Sequence, residues 1–331
     1  MVKTVSLFDY AIAQKGGKKT TRFLEEMKEL IPFDEIERIL IEKGLYRPRG
    51  KRSGRPPYPA KVLIGAMFLQ AWYNLSDPMT EELIHDRISF RKFLDINDED
   101  DIPDETTLCN FRNRLMDAGM FETIFTTVAL RMQEKGVILK EGTLVDATLV
   151  HSSEPKRKKD TNGRVVKNEA ADKDASYTSK RGKKHHGYKM HIATDRRGMI
   201  KKVRTTTAKE SDIKQLHELT KEETSAIVGD SAYMSKEIKR RCRNKGITYG
   251  IIERKVKNQR KLHTNQRKHN ARFAAVRAVV ELPFAFIKHL MGYTHTRFIG
   301  IAKNTQYHML LATAYNLRRI PSLERKLGIR T

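Results

Sequence analysis

Cysteine and long apolar runs are scarce in this chain. Its 331 residues include two cysteines, Cys109 and Cys242, which excludes a disulfide framework and a cysteine-based zinc motif and fits a reducing compartment. No apolar stretch approaches the ~20 residues that span a bilayer. Residues 1–20 also lack the apolar core of a secretory signal. We therefore expect a cytoplasmic protein with no membrane segment.

Acidic residues are also in short supply. The chain has 40 Asp and Glu against 65 Lys and Arg, a formal net charge of +25. Hydrophobic residues make up 39%, which indicates globular domains with real cores and excludes a disordered chain. So large a basic excess points to a polyanionic partner. Because nothing in the sequence can span a bilayer, nucleic acid is favoured over a membrane surface.

The periodicity of apolar residues divides the chain into two predicted domains. Residues 1–135 show helical spacing, interrupted by a basic linker rich in proline and glycine at 47–59. Residues 136–331 read as three strands, helix, strand, helix, strand and a long final helix, with basic segments at 151–187 and 253–271. This order predicts an α/β, RNase H-like domain with a mixed sheet, preceded by an all-α domain.

Two aspartates lie inside apolar, strand-like runs: Asp146 in 143–150 and Asp230 in 225–233. An acid in such a strand is costly unless a charge compensates it. Glu281 follows on the predicted final helix. Three carboxylates can hold two Mg²⁺ or Mn²⁺ ions, which activate an attacking oxygen and stabilise a leaving oxygen in phosphoryl displacement. The pattern therefore predicts a two-metal site.

Simpler interpretations stay open for each of these acids taken singly. A lone aspartate in a strand is more often a surface or strand-end residue. Arg277 with Glu281 is an ordinary ion pair of i, i+4 spacing on a helix. Other acids compete with Glu281 as the third carboxylate, namely Glu210, Asp212 and Glu253. The combination of three acids, fold order and net charge favours the catalytic interpretation.

Arg277, Glu281 and Lys288 share one stripe of a single predicted helix, since successive residues turn by about 100°. Pro283 inside that helix is expected to remove the hydrogen bond to Val279 and to kink the axis. We expect Arg277 to pair with Glu281 and orient it. Lys288 is expected to reach a DNA phosphate as a point charge.

Several short segments are similar, in order, to blocks of one transposase family. They are 54–59, 72–78 and 102–112 in the N-terminal half, and 145–148, 187–191, 229–233 and 280–284 in the C-terminal half. They resemble the bacterial insertion-sequence transposases of the type named for insertion sequence five, within the wider DDE group related to insertion sequence four. Arg277-x3-Glu281-x6-Lys288 matches that group's Tyr-x2-Arg-x3-Glu-x6-Lys signature from its Arg onward, with Ala274 at the Tyr position.

The resemblance implies that Asp146, Asp230 and Glu281 are the metal-binding catalytic residues of a Mg²⁺- or Mn²⁺-dependent DNA transposase, with Arg277 and Lys288 as auxiliary residues. Such an enzyme binds the terminal inverted repeats of its element, cleaves the 3′ ends and joins the 3′-OH to target DNA. We expect a homodimer on DNA, because two ends are handled, in the bacterial cytoplasm and associated with the nucleoid. A transposase-derived regulator without catalysis and a nuclease without joining are the alternatives.

Basic stretches are candidates for binding double-stranded DNA through phosphates. The helix predicted over 105–116, whose region is compatible with helix-turn-helix geometry, is favoured for reading bases. His185, His186 and His191 lie near basic residues where they can reach phosphate. A solvated surface is the alternative for every run. The candidate DNA-binding residues are Lys51, Arg52 and Arg55; Arg112, Asn113 and Arg114; Lys183 and Lys184, beside Lys180 and Arg181; Arg254, Lys255, Lys257, Arg260 and Lys261; and Lys288.

Overall fold

The protein is described here from a computed structural model. The described residues are 19–48, 57–154, 158–159, 165–166, 172–180, 182–257 and 259–328. Two compact units divide the chain, Met1–Leu115 and Met116–Thr331. In the described part of the chain, no helix combines the length and apolarity needed to cross a bilayer. The predicted contacts of Lys51, Arg52, Arg55 and Arg181 lie outside the described residues.

The first unit is helical, as the periodicity predicts. Its buried centre is the third helix, which is apolar on nearly every face and is therefore enclosed by the others. Trp72 on that helix stacks on Phe68 and meets Phe23 and Phe93 edge-on. The helices are α1 (Lys19–Leu30), α2 (Phe33–Glu42), α3 (Ala60–Tyr73), α4 (Asp77–Asp86), α5 (Ile88–Leu94) and α6 (Glu105–Asp117). That this unit binds DNA or forms a dimer stays a prediction.

The second unit begins with α7 (Met120–Glu134), which packs against the last helix of the chain, α12 (Ile301–Leu327). The helical spacing of α7 continues that of the preceding residues and predicted a place for it in the N-terminal domain. In the structure its apolar stripe of Phe121, Ile124 and Val128 is buried. The amide of Phe121 also donates to Gln306 on α12 at 3.1 Å.

A mixed sheet forms the centre of the second unit. Its strands run in the order β6-β5-β1-β7-β8, with β4 also pairing with β5. β1 is antiparallel to β5, β5 is antiparallel to β6, and β1, β7 and β8 are mutually parallel. This confirms the predicted RNase H-like, mixed-sheet fold. The strands are β1 (Thr143–His151), β2 (Lys158–Lys159), β3 (Val165–Val166), β4 (Ser176–Lys180), β5 (Lys183–Thr194), β6 (Ile200–Thr207), β7 (Ala226–Gly229) and β8 (Thr248–Ile251).

One face of the sheet is covered by α8 (Asp212–Leu219) and α9 (Lys236–Asn244). Val145 of β1 packs there with Leu216 and Ile238 in a fully apolar cluster. Since side chains alternate along a strand, Asp146 points away from that cluster. The sheet thereby separates a dry core around Val145 from the position of the neighbouring carboxylate.

The predicted single helix around Glu281 is three segments: α10 (Thr264–Ala278), α11 (Glu281–Ala285) and a π-helical turn, Phe286–Leu290. Regular α-helical hydrogen bonding is interrupted before Glu281. Pro283 lies in the first turn of α11, where its missing N–H costs no helical bond. The expectation that all three residues share one stripe of a single helix is therefore wrong, because the interruption and the wider π turn change the rotation toward Lys288.

Candidate active site

Asp146 and Asp230 lie at equivalent positions on neighbouring parallel strands. The register pairs Val145 with Gly229, so the next residue on each strand is an aspartate. Asp230 directly follows β7, and its carboxylate accepts a hydrogen bond from the amide of Ala232 at 2.8 Å. The pairing of β1 with β7 thus brings together two acids that are 84 positions apart.

The carboxyl of Asp146 is strongly perturbed. Burial, with smaller contributions from the charges of Asp230 and Glu281, raises its pKa from 3.8 to about 6. The amide of Ala147, at 2.8 Å, and the charge of Arg277 act in the opposite direction. The carboxylate therefore lacks enough compensating positive charge, which a bound cation would supply.

Glu281 is held by Arg277. The guanidinium donates to the Glu281 carboxylate at 2.6 Å, and the glutamate side chain is 56% exposed. The pair spans the break between α10 and α11, where the backbone of Val279 and Val280 stays in the right-handed helical region, so the predicted i, i+4 contact still forms. Glu281 is near enough to Asp146 to affect its pKa, yet its carboxylate is engaged with Arg277.

The competing third carboxylates are all paired with lysines. The nitrogen-to-oxygen distances are 2.9 Å for Lys189 with Asp212, 3.1 Å for Lys214 with Glu210 and 2.8 Å for Lys239 with Glu253. Glu281, by contrast, is among the groups that raise the pKa of Asp146. This arrangement favours Glu281 as the acid that joins the two aspartates.

The three carboxylates fit a hard divalent cation by donor type and by charge, since Mg²⁺ prefers oxygen ligands. The three carboxylates lie farther apart than the ligands of a bound metal ion. Across the described residues, no three His, Cys, Asp or Glu side chains are grouped closely enough to hold an ion. The Arg277 contact accounts for this looseness at Glu281. An exposed glutamate can change rotamer, so the spacing can tighten without moving the backbone.

Lys288 lies against the strand that carries Asp146. Its ammonium donates to the carbonyl of Leu149 at 2.9 Å. Burial lowers the pKa of Lys288, and the charge of Lys180 lowers it further. The contact fixes Lys288 beside β1, and its predicted role toward a DNA phosphate stays a prediction.

The basic residues proposed to hold DNA differ in how accessible they are. Arg254, Lys255, Lys257, Arg260 and Lys261 are all exposed in the segment between β8 and α10. Lys183 and Lys184 are exposed at the start of β5, next to Lys180 at the end of β4. These surfaces are open to a polyanion in the same unit as the three acids.

Arg112 does not lie on an open surface. Its guanidinium is buried and ion-paired with Asp77, with one contact of 2.8 Å, and a further contact of 3.4 Å reaches Gln70. The prediction that Arg112 reads bases is not supported by this geometry. Its neighbours are more open: the amide of Asn113 donates to Cys109 at 3.5 Å, and the exposed Arg114 donates to the carbonyl of Leu45.

Tyr233 is a site residue that the sequence analysis did not single out. Its side chain is buried, and its hydroxyl has no hydrogen-bond partner within the described residues. Burial raises the pKa of Tyr233, and the charges of Asp146, Asp212 and Asp230 raise it further. Its place three residues after Asp230, inside segment 229–233, was the available signal.

Comparison with known families agrees with this arrangement. A family model described as a transposase DDE domain matches residues 139–317, and one described as a transposase domain (DUF772) matches residues 13–114. Among solved structures, the chain is similar to a piggyBac transposase synaptic complex with hairpin DNA, at 12% identity and a TM-score of 0.46, covering 93% of this chain and 76% of that one. Since the DDE model spans more than half of its length, this chain belongs to the DDE transposase family.

Proposed function

We propose that this protein is a DNA transposase of the type named for insertion sequence five. It binds the terminal inverted repeats of its element, cleaves at the 3′ ends and joins the 3′-OH to target DNA. The observation that carries the proposal is the placement of Asp146 and Asp230 at equivalent positions, one residue beyond the Val145–Gly229 pair of the parallel strands β1 and β7, with Glu281 within electrostatic reach. Its place of action is then the nucleoid.

In this proposal Asp146, Asp230 and Glu281 hold two Mg²⁺ or Mn²⁺ ions. When bound, such a pair activates the attacking oxygen and stabilises the leaving oxygen. The chain itself supplies the negative charge that gathers the cations. Asp146 contributes a partly buried carboxylate whose charge is undercompensated. Arg277 holds Glu281 at a defined position until the glutamate turns toward the aspartates.

DNA is held by charge in this proposal. The exposed lysines and arginines of segment 254–261 precede α10, which leads toward Glu281. Phosphate contacts from such residues supply affinity and orientation, while base contacts supply sequence choice. Since two element ends are joined in one event, the active species is at least a homodimer on DNA.

The test is a strand-transfer assay with oligonucleotides that carry the element's ends, with Mg²⁺. We expect wild-type protein to cleave the 3′ ends and to join them to target DNA. Asp146→Asn, Asp230→Asn and Glu281→Gln should each lower both steps by at least about a thousandfold, since each removes a charged ligand from the ions. Binding to the ends should be largely kept.

Glu237→Gln is the matched control, because Glu237 is an exposed acid on α9 in the same unit. It should leave cleavage and joining unchanged. If a variant of Asp146, Asp230 or Glu281 cuts at the wild-type rate, that residue does not belong to the active site. If the wild-type protein cleaves without joining, it is a nuclease, and if it binds the ends without cleaving, it is a regulator.

A further inference from the structure

Three histidines meet at the end of β1, and we call His151, His185 and His295 the histidine cluster. The ring centroid of His151 lies 5.1 Å from that of His185 on β5 and 5.5 Å from that of His295. The backbone of His151 forms a parallel bridge with His295. Its amide donates to Thr294 at 3.1 Å, and its carbonyl accepts from Thr296 at 2.7 Å. The strand end therefore fixes the cluster in place.

Two lysines adjoin the cluster. Lys288 is held on the carbonyl of Leu149, two residues before His151, and its charge acts on the His151 ring. Lys180, at the end of β4, acts in turn on Lys288. The charged groups that act on His151 from β5, the π-helical turn and the 294–296 segment are His185, Lys288 and His295, and all of them are basic.

No acid is among the described groups that act on His151, and such a set of basic groups is suited to an anion. Burial lowers the pKa of His151, and repulsion from His185, His295 and Lys288 lowers it further. A cation would add to this repulsion, and within the described residues the histidines are not grouped as metal ligands. Rings about 5 Å apart can each donate one N–H to a different oxygen of one phosphate.

We infer that the histidine cluster, together with Lys288, binds one phosphate of the DNA backbone. This inference rests on the proposed function for its ligand, a DNA strand. His151 lies five positions after Asp146 on β1, roughly 17 Å along the strand, and the two side chains point to opposite faces of the sheet because successive side chains alternate. The cluster therefore holds DNA at a point separate from the catalytic carboxylates.

Phosphate binding at this cluster takes up protons. In the free protein the pKa of His151 is below its ordinary value, so the ring is neutral near neutral pH. A bound phosphate stabilises the protonated ring, which donates from both nitrogens. DNA affinity should consequently rise as the pH falls through the range in which histidines titrate.

The experiment measures binding of a fluorescently labelled double-stranded oligonucleotide of arbitrary sequence by anisotropy. It compares the full-length wild type with His185→Gln/His295→Gln and with the triple variant that adds His151→Gln. We expect wild-type affinity to be about fivefold to tenfold higher near pH 6 than near pH 8 at constant salt. In the triple variant that ratio should fall to about two or less, and the slope of log affinity against log salt should become shallower by about 0.9 at the lower pH.

His217→Gln is the matched control, since His217 is an exposed histidine on α8 in the same unit. It should behave as the wild type. The double variant leaves half-buried His151 in place, so it reports on the cluster even if the triple variant is unfolded by circular dichroism. Wild-type binding without pH dependence, or equal pH dependence in the variants, overturns the inference. Failure of strand cleavage alone leaves this binding result standing and counts against the proposed function instead.

Discussion

At the scale of single residues, Asp146 both destabilises the folded protein and serves the proposed active site. Its carboxyl is partly buried on a strand, where the charges of two other acids and one arginine act on it. Such a group costs stability when it is ionised and gives the site its affinity for cations. The cost should be measurable in the free protein.

We predict that Asp146→Asn raises the free energy of unfolding at neutral pH without divalent cations, by on the order of 2 kcal/mol. The pKa of about 6 in the folded protein exceeds the unfolded value of 3.8. The folded state therefore binds the proton more tightly, and wild-type stability falls as the pH rises from about 4 to about 6. The difference in free energy of unfolding between the variant and the wild type should vanish near pH 4. Urea unfolding curves measured across this pH range test this.

Adding Mg²⁺ should reverse the order by stabilising the wild type more than the variant, because a ligand that binds only the folded state stabilises it. Glu281→Gln is the control, since its carboxylate is more than half exposed and should change stability by less than about 0.5 kcal/mol. An Asp146→Asn protein that is less stable than wild type at neutral pH, without cations, contradicts the interpretation.

Arg112 shows what residue patterns do not reveal. Its place beside an apolar stripe, next to Asn113 and Arg114, is typical of a base-reading helix. The structure instead pairs it with Asp77, 35 residues earlier in the chain. No local signal identifies that partner, because the packing of α4 against α6 decides which arginine is buried.

At the scale of elements, the pairing of β1 with β5 positions both Asp146 and the histidine cluster. Gly187 permits this pairing opposite His151. Its φ of +149° is a conformation that L side chains rarely adopt, and a Cβ there would collide with the carbonyl of Val150 and lie 2.8 Å from the amide of Ser152. Only glycine lets the two backbones approach so closely.

We predict that Gly187→Ala lowers the free energy of unfolding by more than about 3 kcal/mol, since backbone atoms cannot give way as a flexible side chain can. Gly182→Ala is the control on the same hairpin. Gly182 also has a positive φ, +77°, but among the described residues no atom beyond its chain neighbours lies within 4 Å of its added Cβ, so its cost should be about 1 kcal/mol. Equal losses in chemical denaturation would show that the collision at Gly187 is not the cause.

The segment that carries Glu281 shows the limit of periodicity. The spacing of Arg277 and Glu281 predicted their ion pair, and that contact is present. The break before Glu281 and the π-helical turn were not predicted, because a π turn has no residue signature comparable to the one that proline gives a kink. Lys288 reaches Leu149 through that turn.

At the scale of the whole molecule, the net charge of +25 should make DNA binding strongly dependent on salt. We predict that replacing the five exposed basic residues of segment 254–261 with glutamine makes the slope of log affinity against log salt shallower by about 4, because each lost phosphate contact lowers the slope by roughly 0.9. Anisotropy titrations across a salt series measure this slope. The residues are Arg254, Lys255, Lys257, Arg260 and Lys261.

The control lowers the net charge equally on another surface of the same unit. It replaces five exposed basic residues on and around α9 with glutamine, namely Lys221, Lys236, Arg240, Arg243 and Lys245. This control should change the slope by less than about 1, because long-range attraction is screened beyond roughly 10 Å in ordinary buffer. Equal changes in both proteins would mean that net charge, and not segment 254–261, governs binding.

The sequence by itself determined the class of this protein. Apolar periodicity gave the helical first unit and the strand order of the second, and the motif order indicated a DDE transposase, because these signals are local along the chain. Only the tertiary structure decided which polar groups meet. It placed Asp146 beside Asp230, removed Arg112 from the surface and gathered three histidines from distant segments, because such contacts depend on strand register and packing between residues far apart in sequence.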